Sequence, residues 1–212
     1  MKYRAIIFDL DGVICHTDRY HYLAWKQLAD KLGIYFDEQI NHRLRGVSRM
    51  DSLNIILERY KGKPLSEDEK ENLASYKNDI YKKYLLKMSP EDLSKEVSDT
   101  LCYLRNLGLE FAIGSSSKNA RLILKQIGLG DYFDAISDGN NIRYSKPNPE
   151  VFLKAADYLG RRVSECLVVE DAKAGVDAAH NAGFDSAGIG EAADYPLTTY
   201  QLNKFSDLIN VF

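Results

Sequence analysis

The stretch Ala5–Ile14, AIIFDLDGVI, places two aspartates, Asp9 and Asp11, directly after four apolar residues. An apolar run without polar alternation is typical of a strand buried on both faces, as in a parallel sheet. Residues two apart in an extended chain point the same way, so both carboxylates are predicted to face one crevice at the carboxyl edge of the sheet. Like charges at this spacing repel, and the motif therefore predicts a compensating cation nearby.

The composition excludes several classes of protein. The chain has 212 residues, of which 45% are hydrophobic, enough for one good core and a small second one. A net charge of -3 and a pI near 5.8 argue against nucleic-acid binding. The three cysteines lie far apart without metal-ligand spacing, which favours a reducing compartment. We expect a cytoplasmic protein with no export signal and no membrane contact, and we expect a monomer.

The second half of the chain repeats one pattern four times: an amphipathic helix, a glycine that stops it, and an apolar strand. The four pairs are LCYLRNLG with LEFAIG, LILKQIGLG with YFDAIS, AADYLG with CLVVED, and AAHNAG with FDSAGIG. Strands that alternate with helices indicate right-handed crossovers and a mostly parallel sheet. The predicted fold is α/β, with a Rossmann-like, mostly parallel core.

Helical spacing without a convincing apolar strand dominates the region between the first strand and the repeats. The segments LAWKQLADKLG, DSLNIILERY and 67–86 carry this spacing. We predict an inserted α-helical cap domain over 16–88 and an α/β catalytic core over 1–15 and 89–212. The cap is expected to move as a lid, and a rigid helical decoration is the alternative.

Four polar clusters follow or stand near the ends of predicted core strands: DLD at 9–11, SSSK at 115–118, SKPNP at 145–149 and ED at 170–171. Their combination and order resemble the haloacid dehalogenase superfamily, and the resemblance covers the whole core. The superfamily contains phosphatases, dehalogenases, phosphonatases and mutases. The second aspartate favours phosphoryl transfer, because a halide leaving group needs no proton.

The resemblance implies a role for each cluster. Asp9 is the nucleophile that forms an aspartyl-phosphate, and Asp11 is the general acid and base. Ser115 donates hydrogen bonds to the phosphoryl oxygens, and Lys146 neutralises the charge on them and on Asp9. One Mg²⁺ per site is implied, a cation that prefers oxygen ligands. Its implied ligands are Asp9, the backbone carbonyl of Asp11, Glu170 and Asp171.

Three strings of the helical region look closely like the β-phosphoglucomutase family: TDRYHYLAW at 17–25, GVSRMDSL at 46–53 and YKNDIY at 76–81. That family converts β-glucose 1-phosphate to glucose 6-phosphate through β-glucose 1,6-bisphosphate, which acts as intermediate and activator. Arg49 matches the arginine that clamps the phosphate that is not transferred. The other residues that match substrate contacts are His21, Trp25, Gly46, Val47, Ser52, Lys77, Ser117, Lys118 and Asn119.

Two other functions stay open at this point. A sugar-phosphate phosphatase of the same superfamily would share the core residues and pass the phosphoryl group to water. A non-catalytic sensor of a sugar phosphate would keep the fold without turnover, and the intact set of core residues argues against it. GIGEAA at 188–193 imitates a dinucleotide-binding fingerprint, but Asp194 and Pro196 leave little room for the helix that this motif requires.

Overall fold

The computed structural model describes residues 2–44 and 47–212, which divide into two compact units. The core unit comprises the residues up to His16 together with Met88–Phe212, and the helical unit comprises Thr17–Lys87. The range 16–88 given by the sequence patterns extends one residue beyond the helical unit at each end.

The core unit contains one parallel sheet, which has six strands within the described ranges. The strands are β1 (Ala5–Phe8), β2 (Glu110–Gly114), β3 (Ala135–Ser137), β4 (Cys166–Glu170), β5 (Asp185–Gly188) and β6 (Tyr200–Gln201). Their order is β3-β2-β1-β4-β5-β6, so β1 lies between β2 and β4. The chain order reverses at β1 and β4, which is where open α/β sheets bind ligands. The predicted fold class is confirmed.

Helices make up the rest of the regular structure. Those of the helical unit are α1 (Asp18–Lys31), α2 (Glu38–His42), α3 (Arg49–Leu57) and α4 (Glu67–Leu85). Those of the core unit are α5 (Lys95–Asn106), α6 (Ala120–Gln126), α7 (Glu150–Tyr158) and α8 (Lys173–Asn181). The sequence patterns missed α2 and β6, because neither is long enough to show a hydrophobic period.

The glycines of the repeated pattern end their helices as predicted. Gly108, Gly128, Gly160 and Gly183 follow α5, α6, α7 and α8, with φ angles of 81°, 82°, 65° and 80°. A side chain at such an angle costs about 1–2 kcal/mol, so glycine is favoured immediately after a helix. Each glycine turns the chain back toward the next strand of the sheet.

Each unit has its own apolar core. In the core unit, Ile7 and Val168 of the two central strands pack with Phe152 of α7, and all three are fully buried. In the helical unit, Trp25 and Leu28 of α1 pack with Leu53 and Ile56 of α3. Full burial of such a side chain contributes about 1.5–3 kcal/mol. Among the described helices, none combines the length and apolarity that crossing a bilayer requires.

Candidate active site

The reversal point of the sheet holds the first candidate residues. Asp9 follows β1 and is only 7% exposed, and Glu170 is the last residue of β4 and is 1% exposed. The backbone N–H of Asp9 donates to the carbonyl of Val169 at 2.9 Å, which fixes Asp9 beside the end of β4. The two carboxyl groups are therefore held on adjacent strands in a site almost closed to water.

Lys146 supplies the positive charge that the two carboxylates require. Its Nζ donates to Oδ1 of Asp9 and to Oε1 of Glu170, and its side chain is 8% exposed. The ammonium also lies 4.7 Å from the centre of the Phe152 ring, which adds a cation–π contact. Lys146, Asp9 and Glu170 thus form one buried group, and three of the four polar clusters meet there.

The helix after Lys146 begins slightly later than the sequence indicates. Asn148 and Pro149 are residue types typical of an N-cap and of a first helical residue, whereas α7 begins at Glu150. The capping interaction itself is present, because Oδ1 of Asn148 accepts the N–H of Glu150 at 3.0 Å. A shift of one residue at a helix end is within the normal spread of such boundaries.

Burial dominates the electrostatics of this group. Burial raises the pKa of Asp9 well above its usual value, Lys146 opposes the rise, and Glu170 and Asp171 add to it. Burial also works against the charge of Lys146, but Asp9 and Glu170 outweigh it, so the pKa of Lys146 is raised. The site therefore keeps the lysine charged and carries an excess of carboxylate over cation.

Two glycines make room for the acidic pair. A Cβ on Gly12 would lie 2.1 Å from Oδ2 of Asp171, and a Cβ on Gly175 would lie 1.9 Å from Oε1 of Glu170. The carboxylates therefore rest directly on these two backbones. The loop after β5 fixes the backbone of the acidic pair. The N–H of Ile189 donates to the carbonyl of Glu170 at 2.8 Å, and the N–H of Ala192 donates to the carbonyl of Asp171 at 3.0 Å.

The Ser115–Asn119 loop follows β2, the other neighbour of β1. Ser115 is 3% exposed, and its Oγ accepts the N–H of Ser117 at 3.1 Å. Oγ of Ser117 in turn accepts the N–H of Asn119 at 3.2 Å, while Lys118 is exposed. These bonds curl the loop into the start of α6. Hydroxyl and amide groups are thus concentrated one strand away from Asp9.

Asp11 lies in a tight turn after Asp9. Asp11 is half-buried, and Leu10 between the two aspartates is fully buried. Gly12 has a φ of 85°, and its N–H donates to the carbonyl of Cys15 at 2.8 Å. Asp9 is thus enclosed, whereas part of Asp11 is accessible to solvent. This accessibility suits a group that exchanges protons.

Three of the predicted substrate-binding residues come together within the helical unit. Nζ of Lys77 lies 3.0 Å from Nδ1 of His21, 4.5 Å from the centre of the Trp25 ring and 4.7 Å from that of Tyr81. Lys77 is only 2% exposed. Burial lowers the pKa of His21 well below its usual value, and the charges of Lys77 and Arg49 lower it further. His21 is therefore neutral at physiological pH, and Arg49 lies within electrostatic reach of this cluster.

The remaining predicted cap residues lie at or near the beginning of α3. Arg49 is its first residue, half-buried, and follows the N-cap Ser48, whose side chain accepts the N–H of Asp51. Ser52 is buried in α3, and Val47 is 40% exposed. Gly46 lies outside the described residues. Burial lowers the pKa of Arg49, which stays far above neutrality for an arginine.

Mg²⁺ was expected from the donor chemistry of the core site. Asp9, Glu170 and Asp171 bring carboxylates together, and the backbone carbonyl of Asp11 is a further oxygen, all of them donors that suit Mg²⁺. Among the residues that the structure places, no three His, Cys, Asp or Glu side chains converge as a preformed cage. Glu170 is fully engaged, with Oε1 on Lys146 and Oε2 accepting the N–H of Ala172 at 3.0 Å. The excess of carboxylate would fit a divalent cation, which Asp9 and Asp171 would hold.

Sequence reasoning missed several residues that build the site. It did not identify Glu170 as a partner of Lys146, nor Gly12 and Gly175 as the surfaces on which the acids rest. It also missed Glu150, whose Oε2 accepts the N–H groups of Arg143 and Tyr144. The position of Glu150 directly after SKPNP was the one available signal.

The comparisons with known proteins agree with these observations. The family model of haloacid dehalogenase-like hydrolases matches residues 3–183. A β-phosphoglucomutase of Bacillus subtilis is 40% identical over 97% of this chain and 91% of that protein. The crystal structure of a β-phosphoglucomutase of Clostridium difficile superimposes with a TM-score of 0.89 and 36% identity, covering 97% of this chain and 93% of the other.

A phosphatase is also among the similar proteins. The fructose-1-phosphate phosphatase YqaB of Escherichia coli is 29% identical over 89% of this chain and 97% of its own length. The resemblance to β-phosphoglucomutase that the motifs indicated is confirmed over nearly the whole chain, and the chain belongs to the haloacid dehalogenase-like hydrolase family.

Proposed function

We propose that this chain is a Mg²⁺-dependent phosphomutase that interconverts β-D-glucose 1-phosphate and D-glucose 6-phosphate. Phosphoryl transfer passes through an aspartyl-phosphate on Asp9 and a β-glucose 1,6-bisphosphate intermediate. The observation that carries phosphoryl transfer is the buried contact of Lys146 with both Asp9 and Glu170 at the reversal point of the sheet, and the 40% identity with a β-phosphoglucomutase supports the mutase. A carboxylate there has little water around it, and the adjacent ammonium offsets the charge of an incoming phosphate.

The core residues divide the chemistry between them. Asp9 attacks phosphorus, the bond from phosphorus to the sugar oxygen breaks, and the leaving oxygen takes a proton from Asp11. In the return step Asp11 removes the proton from the sugar hydroxyl that attacks the aspartyl-phosphate. Lys146 and the hydroxyl and amide groups of the Ser115 loop stabilise the charge on the transferring oxygens. Mg²⁺, held by Asp9, Asp171 and the Asp11 carbonyl with Glu170 in support, would neutralise charge on the phosphoryl group.

The helical unit supplies the features that distinguish a mutase from a phosphatase. A bisphosphate has a second phosphate, which needs its own cationic site. Arg49 is the first residue of α3, so its guanidinium and the N-terminus of the helix both favour an anion there. In the core unit, Ser117, Lys118 and Asn119 are proposed contacts of a substrate phosphate. Lys77, His21 and Trp25, with Ser52, Val47 and Gly46, are proposed to hold the sugar.

A sugar-phosphate phosphatase is the second candidate. The similarity to fructose-1-phosphate phosphatase YqaB favours it, because a phosphatase would use the same core residues. The 40% identity with a β-phosphoglucomutase favours the mutase. The difference between the two activities is the acceptor: a sugar hydroxyl in one and water in the other.

A single-turnover experiment separates the two. The protein is labelled on Asp9 with radioactive phosphoryl from β-glucose 1,6-bisphosphate in the presence of Mg²⁺, and the label is then chased with glucose 6-phosphate or with buffer. A mutase moves the label to the sugar bisphosphate faster than to inorganic phosphate. A phosphatase releases it as inorganic phosphate at the same rate in both chases. A protein that never becomes labelled would contradict the covalent mechanism and favour a non-catalytic sensor.

A further inference from the structure

The segment that carries Lys146 is closed into a ring by one side chain. Oε2 of Glu150, the first residue of α7, accepts the N–H of Arg143 at 2.8 Å and that of Tyr144 at 3.0 Å. Glu150 therefore joins the beginning of the segment 143–150 to its end. Lys146 lies inside this ring, and its side chain leaves the ring to reach Asp9 and Glu170.

Further hydrogen bonds stabilise the ring, both among its own residues and with residues outside it. Inside it, the N–H of Asn148 donates to the carbonyl of Ser145 at 3.1 Å, which makes a tight turn around Lys146. Outside it, Oε1 of Glu150 pairs with Nζ of Lys154 at 2.9 Å, and the same Nζ donates to the carbonyl of Asn141. These bonds leave the backbone at Lys146 few alternative positions.

Glu150 stays ionised under any condition in which the enzyme would work. Its hydrogen bond from Lys154 and the N–H groups of Tyr144 and Arg143 lower its pKa to about 2. A carboxylate accepts both amides through one oxygen and keeps the other for Lys154. A neutral carboxamide in the same place could still accept the two amides through its carbonyl oxygen.

We propose that Glu150 is a positioning residue, which clasps the backbone at Arg143 and Tyr144 so that Lys146 reaches Asp9 and Glu170 together. This inference rests on the role given to Lys146 in the proposed function. A misplacement of about 1 Å at a group that stabilises a transition state can cost up to about 100-fold in rate. Glu150 touches neither phosphate nor cation in this account, and it acts through Lys146.

The test uses three variants at Glu150 and one control. Glu150→Ala removes the acceptor, Glu150→Asp keeps the charge but shortens the reach, and Glu150→Gln keeps an acceptor without the charge. The control is Glu165→Ala: Glu165 also accepts a backbone N–H, that of Arg162 at 3.1 Å, and pairs with its guanidinium, but it precedes β4 at the opposite end of the strand from Glu170.

We expect Glu150→Ala and Glu150→Asp to lower kcat for glucose 6-phosphate formation by about 10- to 100-fold, with KM changed less than about threefold. Glu150→Gln is expected to recover most of kcat, and Glu165→Ala to keep the wild-type value. Equal losses in Glu150→Ala and Glu150→Gln, or wild-type kcat in Glu150→Ala, would overturn the proposal.

A second measurement needs no turnover and separates this inference from the proposed function. In the substrate-free protein, NMR follows hydrogen exchange of the Arg143 and Tyr144 amides and the ammonium protons of Lys146. Glu150→Ala is expected to speed amide exchange at both positions and to remove the protected ammonium signal, and Glu150→Gln to retain both. If the wild-type protein turns over no sugar phosphate but these signals change as expected, the proposed function fails and the positioning role stands. Unchanged signals in Glu150→Ala would refute the positioning role, whatever the activity.

Discussion

In its proposed role as nucleophile, Asp9 must be charged, whereas its surroundings favour the neutral form. Burial and the nearby acids raise its pKa, and Lys146 opposes the rise. A carboxyl group whose folded-state pKa is raised gives its full stability only below its unfolded pKa, about 4, and loses it as the pH rises through the folded value. At neutral pH, Asp9 therefore weakens the fold that it serves.

Replacing Asp9 by asparagine tests this conflict directly. Asp9→Asn is expected to reduce phosphoryl transfer by about 10³-fold or more, since the nucleophile is lost. The same variant is expected to unfold at a higher urea concentration than the wild type at pH 7 in a chelator, because a buried charge has been removed while Glu170 still pairs with Lys146. Urea titrations at pH 7 measure the difference, and a lower midpoint for Asp9→Asn would contradict the electrostatic account.

His21 gives a prediction of pH dependence with the opposite sign. Burial lowers the pKa of His21 well below 6.5, and the charges of Lys77 and Arg49 lower it further. The unfolded chain therefore binds a proton at His21 near pH 6.5, whereas the folded protein does not. Above that pH both states are neutral, and below it the free energy of unfolding falls by up to about 1.4 kcal/mol per pH unit from this residue. Denaturant unfolding between pH 7 and pH 5 is expected to show a shallower decline in His21→Gln than in the wild type. Identical slopes would exclude His21 as the source.

Individual residues were predictable from the sequence where their roles depend on short patterns. Asp9, Lys146 and Glu170 were identified from clusters in a fixed order, and the structure brings these three together. The contact of Lys146 with Asp9 was expected from the resemblance alone, because residues 137 apart in the chain share no local pattern. The contact of Lys146 with Glu170 was not predicted. Glu150 and Gly175 were missed because their role lies in a backbone contact, which leaves no pattern in a single sequence.

At the scale of the elements, one glycine within α8 and another just after it serve different purposes. Gly175 lies within α8, where a Cβ would collide with Oε1 of Glu170, while Gly183 follows the helix with a φ of 80° and open space around it. One glycine allows the helix to approach Glu170 closely, and the other follows the end of the helix. The same residue type thus serves two purposes within nine residues.

The two glycines predict separable effects. Gly175→Ala is expected to displace Glu170 from Lys146 and lower kcat by about tenfold or more. Gly183→Ala is expected to cost about 1–2 kcal/mol of stability through backbone strain and to leave kcat unchanged. Steady-state kinetics and urea unfolding on both variants measure the two quantities. A loss of kcat of the same size in both would show that Glu170 is not specifically affected.

Most helices and strands were predictable from the sequence, and those that were missed share a physical cause. The buried runs at β1 and β4 and the helix-ending glycines give strong local signals. The strand β6 has two residues and pairs with β5, so its position depends on the sheet that precedes it. A strand of two residues is too short to show a hydrophobic period, so the sequence alone does not predict it.

At the scale of the whole molecule, the two units hold different parts of the proposed reaction. The core unit has the group of Asp9, Lys146 and Glu170, and the helical unit has Arg49 and the cluster of His21, Lys77 and Trp25. Core residues are common to phosphatases and mutases, so specificity is expected to depend on the helical unit.

Arg49 tests that division of roles. Arg49→Ala is expected to lower kcat/KM for β-glucose 1-phosphate by about 100-fold while changing hydrolysis of a small aryl phosphate by less than about threefold, because the small ester has no second phosphate. Arg43→Ala is the matched control, since Arg43 lies in the same unit and pairs with Glu58 on the surface. Equal losses for both substrates in Arg49→Ala would remove the phosphate clamp from the account.

The most direct measurement is the pair of products that the wild-type protein makes. Purified protein is mixed with Mg²⁺, β-glucose 1-phosphate and a trace of β-glucose 1,6-bisphosphate, and glucose 6-phosphate and inorganic phosphate are followed together. We expect glucose 6-phosphate in large excess over inorganic phosphate. Inorganic phosphate formed without glucose 6-phosphate would contradict it and identify the chain as a phosphatase.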